Sequence, residues 1–143
     1  MANKTIIMDG NTITLEKTKT ILEVAREQGI YIPTLCYLKE VTPTGSCRIC
    51  VVEVEGAPRP VPACSTAIQD GMVIYTNTPR IQEIRRTIVE LLVANHPMDC
   101  LYCVRNGDCE LQELAEIYEL RDHVYQGAKR NNPLDQTSMA LVR

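Results

Sequence analysis

The chain has 143 residues, of which 45% are hydrophobic, and a formal net charge of −3. This length allows one ordinary domain or two small ones. No segment approaches the roughly 18 apolar residues of a membrane helix, and no signal peptide follows Met1, so we expect a cytoplasmic protein without direct membrane insertion. No basic run exceeds two residues and aromatic residues make up 4%, which argues against nucleic-acid binding.

The first 77 residues predict a small mixed sheet with one early helix. Asp9-Gly10 is a hairpin turn signal between two alternating segments. Thr20 and Glu23 form a capping box at the start of a helix, and Gly29 is its natural end. The predicted strands are Thr5–Met8, Thr12–Glu16, Val51–Glu55, Val61–Cys64 and Met72–Thr76.

The composition changes after residue 77. Thr78-Pro79 predicts the start of a helix, and Pro97 ends it. A loop over 98–108 and a further helix over about 110–120 follow, and the tail has too few apolar residues for a core. We therefore expect domains at 1–77 and 78–120, with 121–143 docking on a partner or leading to a missing domain. The first of these helices is predicted to have one apolar face, formed by Ile81, Ile84, Ile88, Leu91 and Leu92.

All seven cysteines and one histidine fall into two groups of four. Four soft or borderline ligands are enough to close one metal site, and the C-x2-C pair in each group lets two thiolates converge. We therefore predict two iron–sulfur clusters. The first group, C-x10-C-x2-C-x13-C, is Cys36, Cys47, Cys50 and Cys64. The second group, H-x3-C-x2-C-x5-C, is His96, Cys100, Cys103 and Cys109.

Two other uses of the cysteines compete with this interpretation. Disulfides would leave one cysteine unpaired, and they are rare in proteins that are not exported. A structural Zn site could join the two C-x2-C pairs, but 49 residues separate them, against about 15–20 in zinc ribbons. Because sulfur ligands suit zinc and iron–sulfur clusters alike, ligand type alone does not choose between the metals.

The run Gly45-Ser46-Cys47-Arg48-Ile49-Cys50, with Cys36 before it and Cys64 after it, resembles a known family. It is similar to the N-terminal [2Fe–2S] domain of the large iron–sulfur subunit of complex I, of [FeFe]-hydrogenases and of NAD-dependent formate dehydrogenases. That domain is a β-grasp, so the resemblance implies an α+β fold whose first group binds one [2Fe–2S] cluster. The second group resembles the small helical domain of the same families, in which one histidine and three cysteines bind a [4Fe–4S] cluster.

The resemblance implies an electron-transfer module. Its partners would be a flavin- and NAD(P)-binding subunit and a further iron–sulfur or terminal redox subunit, as in a complex I-like, hydrogenase, formate dehydrogenase or electron-bifurcating complex. The chain has no Walker loop and no G-x-G-x-x-G motif, and every cysteine is used as a ligand, so we expect no active site of its own. An iron–sulfur redox sensor and a zinc-stapled scaffold are the alternatives.

Overall fold

A computed structural model describes residues 3–120 and 125–127 of the chain. The remaining residues, including most of the predicted tail, lie outside the described part. The strands are β1 (Lys4–Met8), β2 (Asn11–Leu15), β3 (Val51–Val54), β4 (Val61–Pro62) and β5 (Val73–Tyr75). The α-helices are α1 (Ile21–Glu27), α2 (Pro79–Ala94) and α3 (Glu110–Ile117).

The strands form one mixed sheet in the order β2-β1-β5-β3-β4. β1 pairs antiparallel with β2 and parallel with β5, and β3 pairs antiparallel with both β5 and β4. The buried apolar face of α1 shares one core with this sheet. The predicted β-grasp fold is confirmed.

Local sequence signals account for the first turn and the first helix. Asp9 and Gly10 both have positive φ, 48° and 84°, which two-residue hairpin turns need. The backbone N–H of Thr20 donates to the Glu23 carboxylate while the Glu23 N–H donates to the Thr20 hydroxyl. This is the predicted capping box.

β4 is shorter than predicted, and this shortening positions a candidate ligand. The chain turns directly after Pro62, whose carbonyl accepts hydrogen bonds from the backbone N–H groups of Ser65 (3.3 Å) and Thr66 (3.1 Å). Cys64 therefore lies in a tight turn rather than in a strand. The carbonyl of Cys50 accepts from the Ala63 N–H at 3.1 Å, which brings the two cysteine-bearing segments together.

The buried face of α2 differs from the prediction. Leu91 is exposed, and Ile84, Ile88 and Leu92 are only partly buried. The fold tolerates the charged Arg85 on the buried face of α2 because backbone carbonyls accept hydrogen bonds from its guanidinium. A prediction based on apolar residues alone therefore gave the wrong orientation for the helix. Of the predicted face only Ile81 is fully buried, and the buried stripe is Ile81, Arg85, Val89 and Val93.

The helical segment does not have a core of its own. Val89 and Val93 of α2 and Leu114 of α3 form a second buried cluster with Ile49, which lies between Cys47 and Cys50. The cysteine loop of the sheet domain therefore completes the core of the helices. None of the helices in the described residues is long and apolar enough to cross a membrane.

Candidate metal centres

The four cysteines of the first group come together as two pairs. The Cys36 thiol lies near the Cys47 thiol, and the Cys50 thiol lies near the Cys64 thiol. Cys50 and Cys64 are buried in the main core, whereas Cys47 is half-buried and Cys36 is exposed. Two thiol pairs are the arrangement that a two-iron core needs, because it takes four cysteine thiolates, two on each iron.

Backbone N–H groups approach the sulfurs of this loop, in which the small residues Gly45 and Ser46 precede Cys47. The N–H groups of Cys47 and Ser46 donate to Cys36, and chiefly the first of these lowers the pKa of the Cys36 thiol. Burial raises the pKa of Cys47, and the N–H of Ile49 opposes that shift. Such donors stabilise a negatively charged cluster and tune its potential.

A glycine brings the two halves of this loop system into contact. Gly45 has a φ of 62°, which side chains other than glycine rarely adopt. A Cβ at this position would lie 3.1 Å from the Ser65 hydroxyl oxygen and 3.5 Å from Pro62. The segment before Cys47 therefore lies directly against the turn that carries Cys64.

Burial keeps part of this site in the thiol form when no metal is bound. It raises the pKa of Cys50 to about 11, although the N–H of Cys64 acts in the opposite direction. Ligand cysteines bind iron as thiolates, so a cluster held by Cys50 would require the release of this proton.

The second group lines one cavity of about 460 Å³ between the end of α2, the following loop and α3. His96 follows the last turn of α2 and its backbone N–H donates to the Val93 carbonyl at 3.0 Å. Cys103 accepts a hydrogen bond from the backbone N–H of Arg105 at 3.4 Å. The ligands predicted from the sequence that line this cavity are His96, Cys100, Cys103 and Cys109.

The arrangement of the cysteine and histidine side chains fits iron–sulfur clusters better than it fits disulfides. All seven cysteines are free thiols, so the disulfide alternative is wrong. Within the described residues, no three His, Cys, Asp or Glu side chains lie close enough to share a single metal ion. Thiol pairs in the first site and four donors around a cavity in the second are arrangements suited to multi-iron clusters.

Two residues near these sites were missed by sequence reasoning, and one was misjudged. Arg85 is buried and donates to the carbonyl of Val51, the residue after Cys50, and no sequence signal marked it. Gly127 lies so close to the end of α2 that a Cβ there would overlap the Ala94 carbonyl oxygen. The position of Tyr102 beside Cys103 in the sequence suggests a shield for the second cluster, but Tyr102 lies at the rim of the cavity and is 92% exposed.

Comparison with protein families agrees with both sites. The model of the 2Fe-2S iron-sulfur cluster binding domain matches residues 3–79. The chain belongs to this [2Fe–2S] family. The model of the NADH-ubiquinone oxidoreductase-G iron-sulfur binding region matches residues 85–123. The chain thus contains one [2Fe–2S] and one [4Fe–4S] cluster region.

Individual members of the family have long chains. The NADP-reducing hydrogenase subunit HndD of Solidesulfovibrio fructosivorans is 42% identical over all of this chain, which covers 25% of that relative. The NADPH-Fe(3+) oxidoreductase subunit alpha of Geobacter sulfurreducens is 49% identical over 75% of this chain, which covers 13% of it. This [2Fe–2S] protein thus spans a quarter or less of either.

A solved structure supports the fold over both regions. The crystal structure of an NAD+-reducing [NiFe]-hydrogenase in the H2-reduced state contains a chain with a TM-score of 0.84 and 32% identity. The alignment covers 94% of this chain and 57% of the hydrogenase chain. The sheet domain and the helical segment therefore recur together in a hydrogenase.

Proposed function

We propose that this chain relays single electrons between a flavin- and NAD(P)H-binding partner and a downstream iron–sulfur or terminal redox subunit. The names of the relatives support this proposal, because they include NADP-reducing and NAD+-reducing hydrogenases and an NADPH-oxidising enzyme. Each cluster, when bound, supplies a centre that exchanges one electron at a time. The reducing cytoplasm suits a chain whose seven cysteines form no disulfide, and we place the protein there.

The ligand assignment is part of the proposal. Cys36 and Cys47 would hold one iron of the [2Fe–2S] cluster, and Cys50 and Cys64 would hold the other, following the two thiol pairs. The [4Fe–4S] cluster would take its four ligands from the group that lines the second cavity. The division at residue 77 separates the two ligand sets, although the cores of the two domains are joined.

The observation that carries the proposal is this joint core. Ile49 is fully buried and lies, in the sequence, between two proposed ligands of the first site. It packs with Val89 and Val93, and Val93 lies three residues before the histidine of the second site. A continuous packed core fixes the distance between the two sites. Electron transfer between centres requires a fixed separation, which this packing would maintain between the two proposed sites.

The assignment can be tested by counting iron and by removing one ligand from each site. The loaded protein should contain about six Fe per chain, and Cys64→Ala and Cys103→Ala should each abolish one of two EPR signals. About two to four Fe in the parent protein, or the loss of the same signal in both variants, would contradict it. The relay itself is tested by capturing a flavin- and nucleotide-binding protein with the native chain. If no captured protein of this kind reduces the clusters, the proposed relay is wrong.

A further inference from the structure

Arg85 is the buried charge of this fold. It is 2% exposed, and no other charged side chain in residues 3–120 and 125–127 is buried. Its Nη2 donates to the carbonyl oxygens of Val51 at 2.8 Å and Thr76 at 3.1 Å. These carbonyls satisfy donor groups but carry no formal charge, and a guanidinium stays protonated in proteins. The positive charge is therefore left uncompensated by these bonds.

No carboxylate in the described part of the chain neutralises this charge. The ion pairs in the described part of the chain are Lys19–Glu27, Arg80–Glu53 and Arg86–Glu90. Arg85 belongs to none of them. The Arg85 Nε also has no hydrogen-bond partner among these residues. A buried charge without an opposite charge is strongly destabilising, so a countercharge is expected close to Arg85 in the working protein.

The neighbours of Arg85 indicate where that countercharge forms. Burial lowers the pKa of the Arg85 guanidinium, and the groups that oppose this shift are first the phenol of Tyr118, through its charge and as a hydrogen-bonding neighbour, then the thiol of Cys50 and the phenol of Tyr31. Phenols are neutral at neutral pH. Cys50 becomes a thiolate when it binds iron, and it directly precedes Val51, whose carbonyl holds the guanidinium.

We propose that Arg85 is the counter-charge of the [2Fe–2S] centre, which it biases toward the reduced state. The inference rests on the proposed assignment of Cys50 as a ligand. Reduction adds one electron and so one negative charge, which a nearby buried positive charge stabilises. Because the charge is buried, salt screens it little. Arg85 does not line the second cavity, so the [4Fe–4S] centre should respond less.

The test is a potentiometric EPR titration of the loaded protein and four variants. Arg85→Met and Arg85→Gln remove the charge, and Gln keeps a donor for the carbonyls. Arg85→Lys keeps the charge. Arg86→Met is the matched control, because the next residue of the same helix is exposed and paired with Glu90.

We expect the two neutral variants to shift the [2Fe–2S] reduction equilibrium at least tenfold toward the oxidised form, about 59 mV for one electron. Arg85→Lys and Arg86→Met should stay within twofold, about 18 mV. A shift in Arg85→Met no larger than that of Arg86→Met overturns the proposal. So does a shift in Arg85→Lys as large as that of Arg85→Met.

Loss of the cluster is also decisive. If the neutral variants fail to hold the [2Fe–2S] cluster while Arg85→Lys holds it, the charge is required for the loaded state and the proposal stands. If Arg85→Lys fails as well, the shape of the guanidinium matters rather than its charge, and the proposal falls. A parent protein without a [2Fe–2S] signal would instead refute the ligand assignment, which separates the two failures.

Discussion

The two candidate sites differ in how much of each is set by the polypeptide. Cys50 and Cys64 belong to the buried core of the sheet domain, and backbone N–H groups already point at the sulfurs of the first loop. None of the four proposed ligands of the second site is buried, and the loop between them exposes Leu101 and Val104 almost fully. The first site is organised by the fold, whereas we expect the second to depend on its cluster for order.

Removal of iron should produce the largest difference in structural stability between the two sites. After chelation we expect the amides of α3 to lose nearly all protection from hydrogen exchange, because few buried residues hold this helix and the cluster supplies much of its folding energy. The amides of β1 and β5 should keep most of theirs. Hydrogen exchange with mass spectrometry measures both, and equal loss in the two regions would show that the fold organises neither site.

Ile49→Ala tests whether the two regions share one core. Ile49 is fully buried against α2 and α3, so its truncation should lower the free energy of unfolding by about 2–5 kcal/mol, as measured by denaturant titration. Because the lost contacts are with the helices, the [4Fe–4S] EPR signal should weaken as well. Leu101→Ala is the control, with a change of about 0.5 kcal/mol or less, since its side chain is 88% exposed.

This joint core marks the limit of what the sequence could predict. Strands and capping boxes depend on neighbours within a few residues, and the five strands and the Thr20 capping box are present in the structure, with β4 shorter than predicted. The assignment of the ligand groups stays a prediction. The contact of Ile49 with Val89 depends on how two distant segments pack, and no local pattern encodes it. Arg85 was missed for the same reason, since a cation at a buried helical position looks like an exposed one until its distant carbonyl partners are known.

His96→Cys tests the ligand that distinguishes the second site from the first. A thiolate adds a negative charge that a neutral imidazole lacks, so reduction of the [4Fe–4S] centre should become harder. We expect its midpoint potential to fall by about 59 mV or more, a tenfold change in equilibrium, while that of the [2Fe–2S] centre stays constant. An unchanged midpoint in potentiometric EPR would show that His96 is not a ligand. His123→Cys, at the other histidine, is the control.

Two glycine substitutions offer the finest comparison of the sites. Gly45→Ala places a side chain at positive φ, 3.1 Å from the Ser65 hydroxyl, and should cost about 1–2 kcal/mol. The turn that holds Cys64 would shift, so the [2Fe–2S] EPR line shape should change. Gly127→Ala would meet the Ala94 carbonyl, two residues before His96, and should alter only the [4Fe–4S] signal.

The sizes of the two responses follow from what surrounds each glycine. Gly45 is buried, but the nearest atom to its new methyl group would be the Ser65 side-chain oxygen at 3.1 Å, which can turn away, so the cost comes mainly from the positive φ. A Cβ at Gly127 would overlap the backbone carbonyl oxygen of Ala94. A backbone atom can yield only together with the end of α2, so we expect a cost of about 1–3 kcal/mol. Denaturant titration should therefore rank Gly127→Ala as the more destabilising change. The reverse order would mean that the contact between Gly127 and the end of α2 contributes little to stability.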